Sequence, residues 1–444
     1  MQFPSTLARL VAITSLAVLS ACGGGERPAA DSPGAAEPAD ARRRALFTIS
    51  DDLLNEALAV TLLPYIEQNY ASLFPGPQPT QVLSPYVYRC YPGTGNCVGF
   101  TANDIYVRGP AVGNLIEPVR VSSVADYCNA HPAACGLKLQ RQAVIGGLIR
   151  HYIVYLPWRA RGLTHTPTVF MLHGTTGTGE EFYNHSGWRE KADAEGLIAV
   201  FPTALRHCLY EDDNANGVFD HPAERRTPTK WADAFLGEPS ERPLCTAEQR
   251  ATLPADVLAA VDHPLADDVA FFRAMVTDLT TSFAADTRRI YVSGFSNGGQ
   301  MALRLAHEAS DLLAAAASNG GGAQARLSGA AARPMSMIYA IGDRDDRYNA
   351  SAENPLPLTD VGASPRFQHM TQPFTGVLSL ADSYTWQQVT LYGHLMSVYQ
   401  HSTSTAVPAG GNTLFTAVIQ GLDHHYPNYM PDLLWNFFRD KSLP

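Results

Sequence analysis

The sequence lacks several features that would assign it to large classes of proteins. It has no extended run of Lys and Arg beyond the three arginines at 42–44, and its formal net charge is −10 at pH 7, which argues against nucleic acid as a partner. The apolar stretch near its N-terminus, residues 10–19, is too short to cross a bilayer as a helix. Beyond the N-terminus it has no low-complexity tract and no evident internal repeat. Its 444 residues, 45% of them hydrophobic, fit either two or three domains or one large α/β domain with additions.

The N-terminal segment has the pattern of an export signal. Arg9 supplies a positive charge ahead of the apolar residues 10–19. Residues 19–22, Leu-Ser-Ala-Cys, resemble a bacterial lipobox, in which Cys22 would be lipidated; the alternative is an ordinary cleaved secretory signal. We therefore expect a signal peptide at residues 1–21 and a flexible tether at 22–44. The protein is then exported and lipid-anchored to the cell envelope or secreted, with the outer membrane favoured because Gly23, not aspartate, follows the cysteine.

Cysteine usage agrees with export. Besides Cys22, six cysteines remain, enough for three disulfides. Short loops favour the pairs 90–97 and 128–135, and the third pair closes a longer excursion of the chain. A metal site is disfavoured because the closely spaced cysteines have no paired His nearby, whereas disulfides persist in oxidising compartments. The six candidates are Cys90, Cys97, Cys128, Cys135, Cys208 and Cys245.

Hydrophobic patterning divides the rest of the chain into an extension and a main domain. Residues 45–136 form an N-terminal extension of unknown role, with a helix predicted over 53–73 and short strands such as 86–88 and 105–107. From residue 137 to 444, apolar strand-like runs alternate with helical segments, which predicts a mostly parallel sheet covered by helices on both faces. The predicted strands are residues 150–157, 168–172, 197–202, 289–293, 335–341 and 414–419, and the predicted helices are 267–283, 299–305 and 431–438.

An insertion at about residues 208–264 interrupts this alternation. It contains a D-x-N-x-N-G run that resembles the start of a calcium loop. The glutamate expected at the twelfth position is missing, and an Asn/Asp/Gly-rich turn within a disulfide-closed lid explains the run equally well. The residues of this weak calcium candidate are Asp212, Asn214, Asn216 and Asp220. No cofactor is predicted elsewhere.

Ser296 is the strongest chemical signal in the sequence. It lies between Gly294 and Gly298 in a G-x-S-x-G run, after a strand-like segment and before a helix-like one. This strand, sharp turn and helix is the nucleophile elbow of α/β-hydrolases. The glycines are needed because a Cβ at either position would crowd the approaching strand and helix.

The partners that a serine nucleophile requires follow in the expected order. The strand at 335–341 runs into a loop with several carboxylates, and the strand at 414–419 leads to His424 and His425. In α/β-hydrolases the acid and then the base follow the nucleophile along the chain. Upstream, an H-G loop after the strand at 168–172 offers the backbone N–H of Thr175 for an oxyanion hole, and Asn297 offers the second N–H at the start of the elbow helix.

From about residue 137 the chain resembles the esterase family of poly(3-hydroxybutyrate) depolymerases and feruloyl esterases, which includes lipoproteins. The matching stretches include residues 172–174, 186–188, 200–202, 267–272 and, as the longest, 288–302. The family's Gly-Thr-x-Asp pattern falls on residues 342–345, and its Gly-x-Gly-His-x-Trp-Pro pattern falls on 421–427. The resemblance therefore implies a triad of Ser296, Asp345 and His424.

The sequence departs from these family patterns at three positions. Asp343 stands in place of the usual Thr, Asp423 in place of a Gly, and Tyr426 in place of a Trp. The neighbours Asp346 and His425 therefore stay open as alternative acid and base.

The resemblance implies an exported serine esterase with an α/β-hydrolase fold, whose substrate is a hydroxyalkanoate polyester or oligoester. The alternatives are a feruloyl or acetylxylan-type esterase, a peptidase acting on small amides, and a non-catalytic surface-binding lipoprotein. The lipid anchor is the only membrane contact expected. Four aromatic residues are candidates for lining a cleft, although core packing is the commoner role of each: Trp188, Trp231, Trp386 and Tyr426.

Overall fold

A computed structural model of the 444-residue chain places most residues beyond 136. The described residues are 49–50, 88–89, 105–112, 115–121, 130, 136–160, 163–211, 219, 222–322, 327, 331, 333, 335–348, 353–402 and 411–444. The predicted signal peptide, tether and helix at 53–73 lie outside them. So do Cys22, the first four disulfide candidates (Cys90, Cys97, Cys128, Cys135) and the calcium candidates Asp212, Asn214, Asn216 and Asp220.

A ten-stranded sheet forms the centre of the main domain. Its strands are numbered here along the chain, and their order across the sheet is β8-β9-β10-β7-β6-β5-β3-β4-β2-β1. The strands are β1 Leu137–Ile145, β2 Leu148–Leu156, β3 Thr166–Leu172, β4 Ile198–Pro202, β5 Ala285–Phe295, β6 Ala315–Asn319, β7 Ser336–Gly342, β8 Tyr384–Leu391, β9 His394–Ser402 and β10 Thr413–Ile419.

The middle of the sheet is parallel and its edges are antiparallel. Strands β10, β7, β6, β5, β3 and β4 run in parallel, and an antiparallel pair of strands closes each edge. Strands β4 and β6 are buried along their whole length, as expected of parallel strands covered on both faces. Because the parallel strands share one direction, their carboxyl ends lie along a single edge, where α/β sheets place their sites.

Helices cover both faces of this sheet and enclose two apolar cores. One core lies around Phe170, Phe272 and Tyr339, and the other around Trp188, Tyr291 and Phe438. The α-helices are α1 Gly179–His185, α2 Trp188–Glu195, α3 Ala247–Arg250, α4 Ala255–Val261, α5 Asp268–Ser282, α6 Asn297–Glu308, α7 Pro365–Val377 and α8 Met430–Phe438. No helix within the described ranges has both the length and the apolar character needed to cross a membrane.

Short strands lie outside the large sheet. In the predicted N-terminal extension, Ile105–Val112 and Leu115–Val121 form an antiparallel pair. The two-residue strands Ile49–Ser50 and Tyr88–Arg89 lie at either side of that pair. In the predicted insertion, Leu209–Tyr210 pairs with Arg225–Arg226.

The insertion is closed by a disulfide. Cys208 and Cys245 are bonded, as the sequence predicts for the third pair. The backbone N–H of Cys245 also donates to the carbonyl of Cys208. The disulfide joins residues 37 positions apart in the chain and thereby closes the loop between them.

Candidate active site

The chain has the α/β-hydrolase fold, which confirms the predicted fold class: a mostly parallel sheet is covered on both faces by helices, and a tight turn joins β5 to α6. Ser296 is the single residue between that strand and helix. Its φ of 52° and ψ of −120° put a non-glycine residue in a conformation that costs about 1–3 kcal/mol. The turn is held in place because the Ser296 N–H donates to the carbonyl of Asn319, at 2.8 Å.

The glycines on either side of Ser296 allow this close approach. A Cβ at Gly294 would lie 2.0 Å from the carbonyl oxygen of Gly298, and one at Gly298 would lie 2.3 Å from the carbonyl oxygen of Leu172. Neither distance is compatible with a side chain. Strand β5, helix α6 and the end of β3 therefore pack at this point without room for any larger residue.

Three side chains from three loops form one hydrogen-bonded chain at the carboxyl edge of the sheet. Nε2 of His424 is 3.0 Å from Oγ of Ser296. Nδ1 of the same ring is 3.0 Å from both carboxylate oxygens of Asp345. Because a carboxylate only accepts, Nδ1 carries the hydrogen and Nε2 is left as the acceptor for the serine hydroxyl.

The structure distinguishes the predicted acid and base from the alternatives next to them in the sequence. Asp345 is buried against His424, whereas the side chain of Asp346 is 70% exposed and points into solvent near Arg347. His425 is 56% exposed and hydrogen-bonds Asp423 at the rim of the cleft. Of the alternatives left open by the sequence, only Asp345 and His424 are placed to act with Ser296.

Asp343, one of the departures from the family pattern, joins the two loops that carry the acid and the base. Its Oδ1 accepts the backbone N–H of Gly421 at 2.8 Å, and its own N–H donates to the carbonyl of Ile419. Burial raises the pKa of this carboxyl. The sequence did not predict this contact, which fixes the loop of His424 relative to the loop of Asp345.

The H-G loop after β3 runs beside the nucleophile. A Cβ built on Gly174 would lie 3.3 Å from Cβ of Ser296, so the backbone of this loop is in contact distance of the serine. Thr175 follows in the same loop. Asn297 supplies the first N–H of α6, and a first-turn N–H has no acceptor within its helix. Both predicted oxyanion donors therefore lie on segments adjacent to Ser296.

His173 organises the H-G loop. Its ring is fully buried; Nε2 accepts the N–H of Ala204 at 3.0 Å, so Nδ1 carries the hydrogen and donates to the carbonyl of Gly174 at 2.7 Å. Burial lowers its pKa to about 4. The ring is therefore neutral near pH 7 and, with both nitrogens occupied, is not available as a second base.

A cleft of about 250 Å³ opens beside the hydrogen-bonded chain. The H-G loop and His424 form part of its wall, and three aromatic rings, those of Phe182, Phe295 and Tyr426, form another. These rings pack on one another with centroids about 6 Å apart. Of the four aromatic candidates from the sequence, Tyr426 thus lines the cleft, while Trp188 and Trp231 are buried in the domain core.

Two glycines under the site were missed by the sequence analysis. A Cβ on Gly320, whose φ is +57°, would lie 3.2 Å from Oδ2 of Asp345 and 3.4 Å from the ring of His424. A Cβ on Gly321 would lie 2.5 Å from the carbonyl oxygen of Ser296. The signal was the Gly-Gly-Gly run at 320–322, two residues after the apolar run 312–317.

Comparison with known proteins supports the resemblance to esterases. None of the protein-family models matches the chain. The chain is 28% identical over 242 residues to a curated protein of Nocardia uniformis subsp. tsuyamanensis named "Putative esterase NocK". The match covers 53% of this chain and 57% of that protein, so it extends over little more than half of the relative's length. The predicted resemblance to esterases is confirmed at this level, while the depolymerase assignment and lipoprotein status stay predictions.

Solved structures similar to this chain are also esterases and related hydrolases, but at low similarity. An acetyl xylan esterase from Aspergillus awamori is 14% identical, with a TM-score of 0.40, over 68% of this chain and 99% of that one. An S-formylglutathione hydrolase from Agrobacterium tumefaciens is 15% identical, with a TM-score of 0.39, over 68% and 95%. A feruloyl esterase module from Clostridium thermocellum complexed with sinapinate is 13% identical, with a TM-score of 0.36, over 69% and 89%. The fold assignment rests on the sheet and turn described above.

Proposed function

We propose that this chain is a serine esterase that hydrolyses carboxylic esters through an acyl-enzyme. The observation that supports this most directly is the hydrogen-bonded chain from Ser296 through His424 to Asp345, with distances of 3.0 Å, at a strained strand-to-helix turn. The similarity to a protein named as an esterase supports esters over other substrates.

Acylation follows from the positions of these groups. The Ser296 hydroxyl gives its proton to Nε2 of His424 as Oγ attacks the ester carbonyl carbon, and the carbonyl oxygen becomes an oxyanion. Asp345 holds the imidazole through Nδ1 and stabilises the imidazolium that forms. The N–H groups of Thr175 and Asn297 donate to the oxyanion. His424 then returns the proton to the leaving alcohol oxygen as the carbon–oxygen bond breaks.

Deacylation uses the same groups with water in place of the alcohol. His424 takes a proton from water, the resulting hydroxide attacks the acyl carbon, and the oxyanion forms again at the same two N–H groups. The bond to Oγ of Ser296 then breaks as Nε2 returns the proton to the serine. The products are the free carboxylic acid and the regenerated hydroxyl.

The finer substrate proposal is a short hydroxyalkanoate ester, as an oligoester or the end of a polyester chain. It is supported by the resemblance of residues 288–302 and 342–345 to depolymerases and by the size of the cleft. Pockets for drug-sized ligands measure roughly 300–1,000 Å³, so a cleft of about 250 Å³ fits one small acyl unit. We expect short-chain esters to be hydrolysed faster than long-chain ones.

An aromatic acyl ester such as a feruloyl ester is the second candidate. It is favoured by the aromatic wall of Phe182, Phe295 and Tyr426, because an aromatic ring stacks well against the face or edge of another. Hydrolysis of methyl ferulate ahead of hydroxybutyrate oligomers would support this candidate over the first.

Active-site labelling tests the proposed function. A fluorophosphonate probe is expected to label Ser296 in the wild type and to leave folded Ser296→Ala unlabelled. A wild type that is folded and unlabelled would favour the non-catalytic binding protein. A panel of short-chain p-nitrophenyl esters, methyl ferulate, polyhydroxybutyrate suspensions and aminoacyl amides then separates esterases of each type from a peptidase.

We also propose that the protein acts outside the cytoplasm, anchored through lipid on Cys22. The Cys208–Cys245 disulfide supports this location because disulfides persist in oxidising compartments. Metabolic labelling with a fatty-acid probe in a bacterial host is expected to tag the wild type and not Cys22→Ala. Labelling of both proteins, or of neither, would refute the lipid anchor.

A further inference from the structure

Residues 229–233 of the insertion, named the brace here, lie against both segments that carry the predicted oxyanion donors. On the H-G loop, the carbonyl of Thr229 accepts the N–H of Thr176 at 2.9 Å, and its hydroxyl donates to the carbonyl of Gly177 at 2.7 Å. The indole Nε1 of Trp231 donates to the carbonyl of His173 at 2.9 Å. The brace is therefore bonded to the loop on both sides of Thr175.

The same segment holds the side chain of Asn297, the residue that offers the second donor. Oδ1 of Asn297 accepts the N–H of Trp231 at 2.7 Å, and Nδ2 donates to Oδ2 of Asp233 at 2.7 Å. All three residues are buried. One short segment thus fixes the H-G loop and the first residue of the elbow helix relative to each other.

Lys230 is the charged member of the brace and contacts Thr175 itself. Its side chain is only 3% exposed, and Nζ donates to Oγ1 of Thr175 at 3.1 Å. Its counter-charges are Glu211, whose Oε1 is 3.6 Å away, and Asp233, and both carboxylates also pair with Arg242. Burial lowers the pKa of this ammonium.

Burying a lysine at this position carries a cost in stability. Removing an ammonium from water costs several kcal/mol, and two carboxylates that are shared with Arg242 offset that cost only in part. An apolar side chain of similar length would fill the same space without that cost. The charge lies instead beside the loop where negative charge develops in ester hydrolysis, and a fixed positive group is most effective there.

We propose that Lys230 is a positioning residue for the oxyanion hole, fixing Thr175 so that its backbone N–H faces the developing oxyanion, while the rest of the brace holds Asn297. This inference rests on the proposed esterase function and adds to it a residue that touches neither the nucleophile nor the base.

The test compares Lys230→Met with Thr175→Val, which removes the hydroxyl acceptor and keeps the backbone N–H. The matched control is Lys191→Met in α2. Among the ion pairs of the described residues, Lys191 pairs only with Glu195 and Asp432. For each variant we would measure the kinetics on p-nitrophenyl acetate and the inhibition by an aryl trifluoromethyl ketone. The adduct of this ketone with serine carries an oxyanion. Thermal unfolding is followed in parallel.

In Lys230→Met we expect kcat to fall about tenfold with KM changed less than about twofold, since losing a donor outright costs about 100-fold or more. The inhibition constant of the ketone should weaken by the same factor, whereas that of the product acid should not. The double variant should lose no more than either single variant, because both act through one contact. Lys230→Arg should recover part of the loss, and Lys191→Met should match the wild type.

Wild-type kcat and ketone affinity in both Lys230→Met and Thr175→Val would overturn the inference while leaving the esterase proposal intact. Should Lys230→Met fail to fold, Thr175→Val alone decides, and an unchanged ketone affinity in it overturns the inference. A wild type inert towards esters and fluorophosphonates would instead refute the proposed function, and this inference with it.

Discussion

The buried ion pair between Arg150 and Asp268 gives a stability prediction whose size can be worked from its contacts. Nη2 of Arg150 is 2.6 Å from Oδ1 of Asp268, and the two side chains are 1% and 0% exposed. Oδ2 of Asp268 accepts the N–H of Ala232 in the brace at 2.7 Å. The aspartate is therefore fully paired, and it links β2, α5 and the brace.

The arginine is less well satisfied than the aspartate. Its Nε and Nη1 are buried and have no hydrogen-bond partner among the described residues, although the guanidinium lies 4.2 Å from the ring centre of Phe271. Each unsatisfied buried donor costs about 1–3 kcal/mol. Breaking a buried pair by removing one partner costs about 3–5 kcal/mol.

These values predict an asymmetry between the two single variants. Asp268→Asn leaves a buried guanidinium without a counter-charge and should lose the full amount, about 3–5 kcal/mol of unfolding free energy. Arg150→Met also leaves a buried charge but removes two unsatisfied donors, so its loss should be smaller, about 2 kcal/mol. The double variant should be more stable than the sum of the single losses predicts, by about 2 kcal/mol.

Urea unfolding followed by tryptophan fluorescence measures these differences, with the slope compared between variants to check that the unfolding transition is unchanged. The reasoning would be refuted if Arg150→Met destabilised the protein more than Asp268→Asn does, or if the losses in the double variant were strictly additive. In that case the guanidinium contributes more through Phe271 and local packing than through its charge.

Three further predictions follow from the site and the core. His424→Ala and Asp345→Asn should each lower kcat at least about 1,000-fold, whereas His425→Ala and Asp346→Asn should stay within about tenfold of wild type; equal losses in the neighbours would contradict the assigned triad. Gly298→Ala should lower the free energy of unfolding by about 1–3 kcal/mol or prevent folding, because its Cβ would meet the carbonyl of Leu172 at 2.3 Å. Gly376→Ala is the control: it lies in a helix, its Cβ would have nothing within 4 Å, and it should not destabilise the protein in the same urea experiment. Burial raises the pKa of the Asp193 carboxyl to about 6 despite its hydrogen bonds to Tyr155. The folded state therefore holds this proton more tightly than the unfolded chain does. The stability that is present below about pH 4 is lost as the pH rises through about 6. Asp193→Asn should therefore gain relative to wild type, by at most about 3 kcal/mol, between pH 4 and 7.5; a constant difference across that range would show that the carboxyl does not titrate in this way.

Much of the parallel part of the sheet could be predicted because its strands contain apolar runs. The predicted strands 168–172 and 335–341 contain the continuous hydrophobic runs 169–172 and 337–341, and both runs lie within strands of the described structure. Strand β6 was missed because its core is three alanines, 315–317, and alanine is the best helix former. Only burial on both faces, which depends on the whole fold, makes a strand of that run.

The antiparallel pair β8 and β9 was missed although its turn carried a local signal. Tyr392 and Gly393 have φ values of 53° and 80° and form a two-residue connection between the strands. Positive φ at both positions is typical of hairpin turns, and glycine favours it. Polar residues interrupt the apolar ones in both strands, and β8 is mostly exposed, so hydrophobic patterning gave no reason to look for a turn there.

At the site, the sequence could place the chemistry but not choose between neighbours. The order of Ser296, a carboxylate loop and a histidine loop follows from the fold, and family register favoured Asp345 and His424. A choice made on geometry needs the backbone: the chain turns into a short 3-10 helix at Asp346, which leaves Asp345 facing His424. The brace was not predictable, because its contacts with the H-G loop and with Asn297 join residues more than 50 positions apart in sequence.

Two opposing requirements meet at Ser296, and the surrounding contacts show how both are satisfied. A nucleophile must stand clear of the sheet, which imposes the strained φ of 52°. It must also be rigid, because a displacement of about 1 Å can cost about 100-fold in rate. The strain is tolerated because three sets of contacts hold the turn. The carbonyl of Asn319 accepts the N–H of Ser296. The glycines at 294 and 298 let β3 and α6 pack closely around the turn, and the brace hydrogen-bonds the side chain of Asn297. The insertion thus acts as part of the structure that keeps the serine in place.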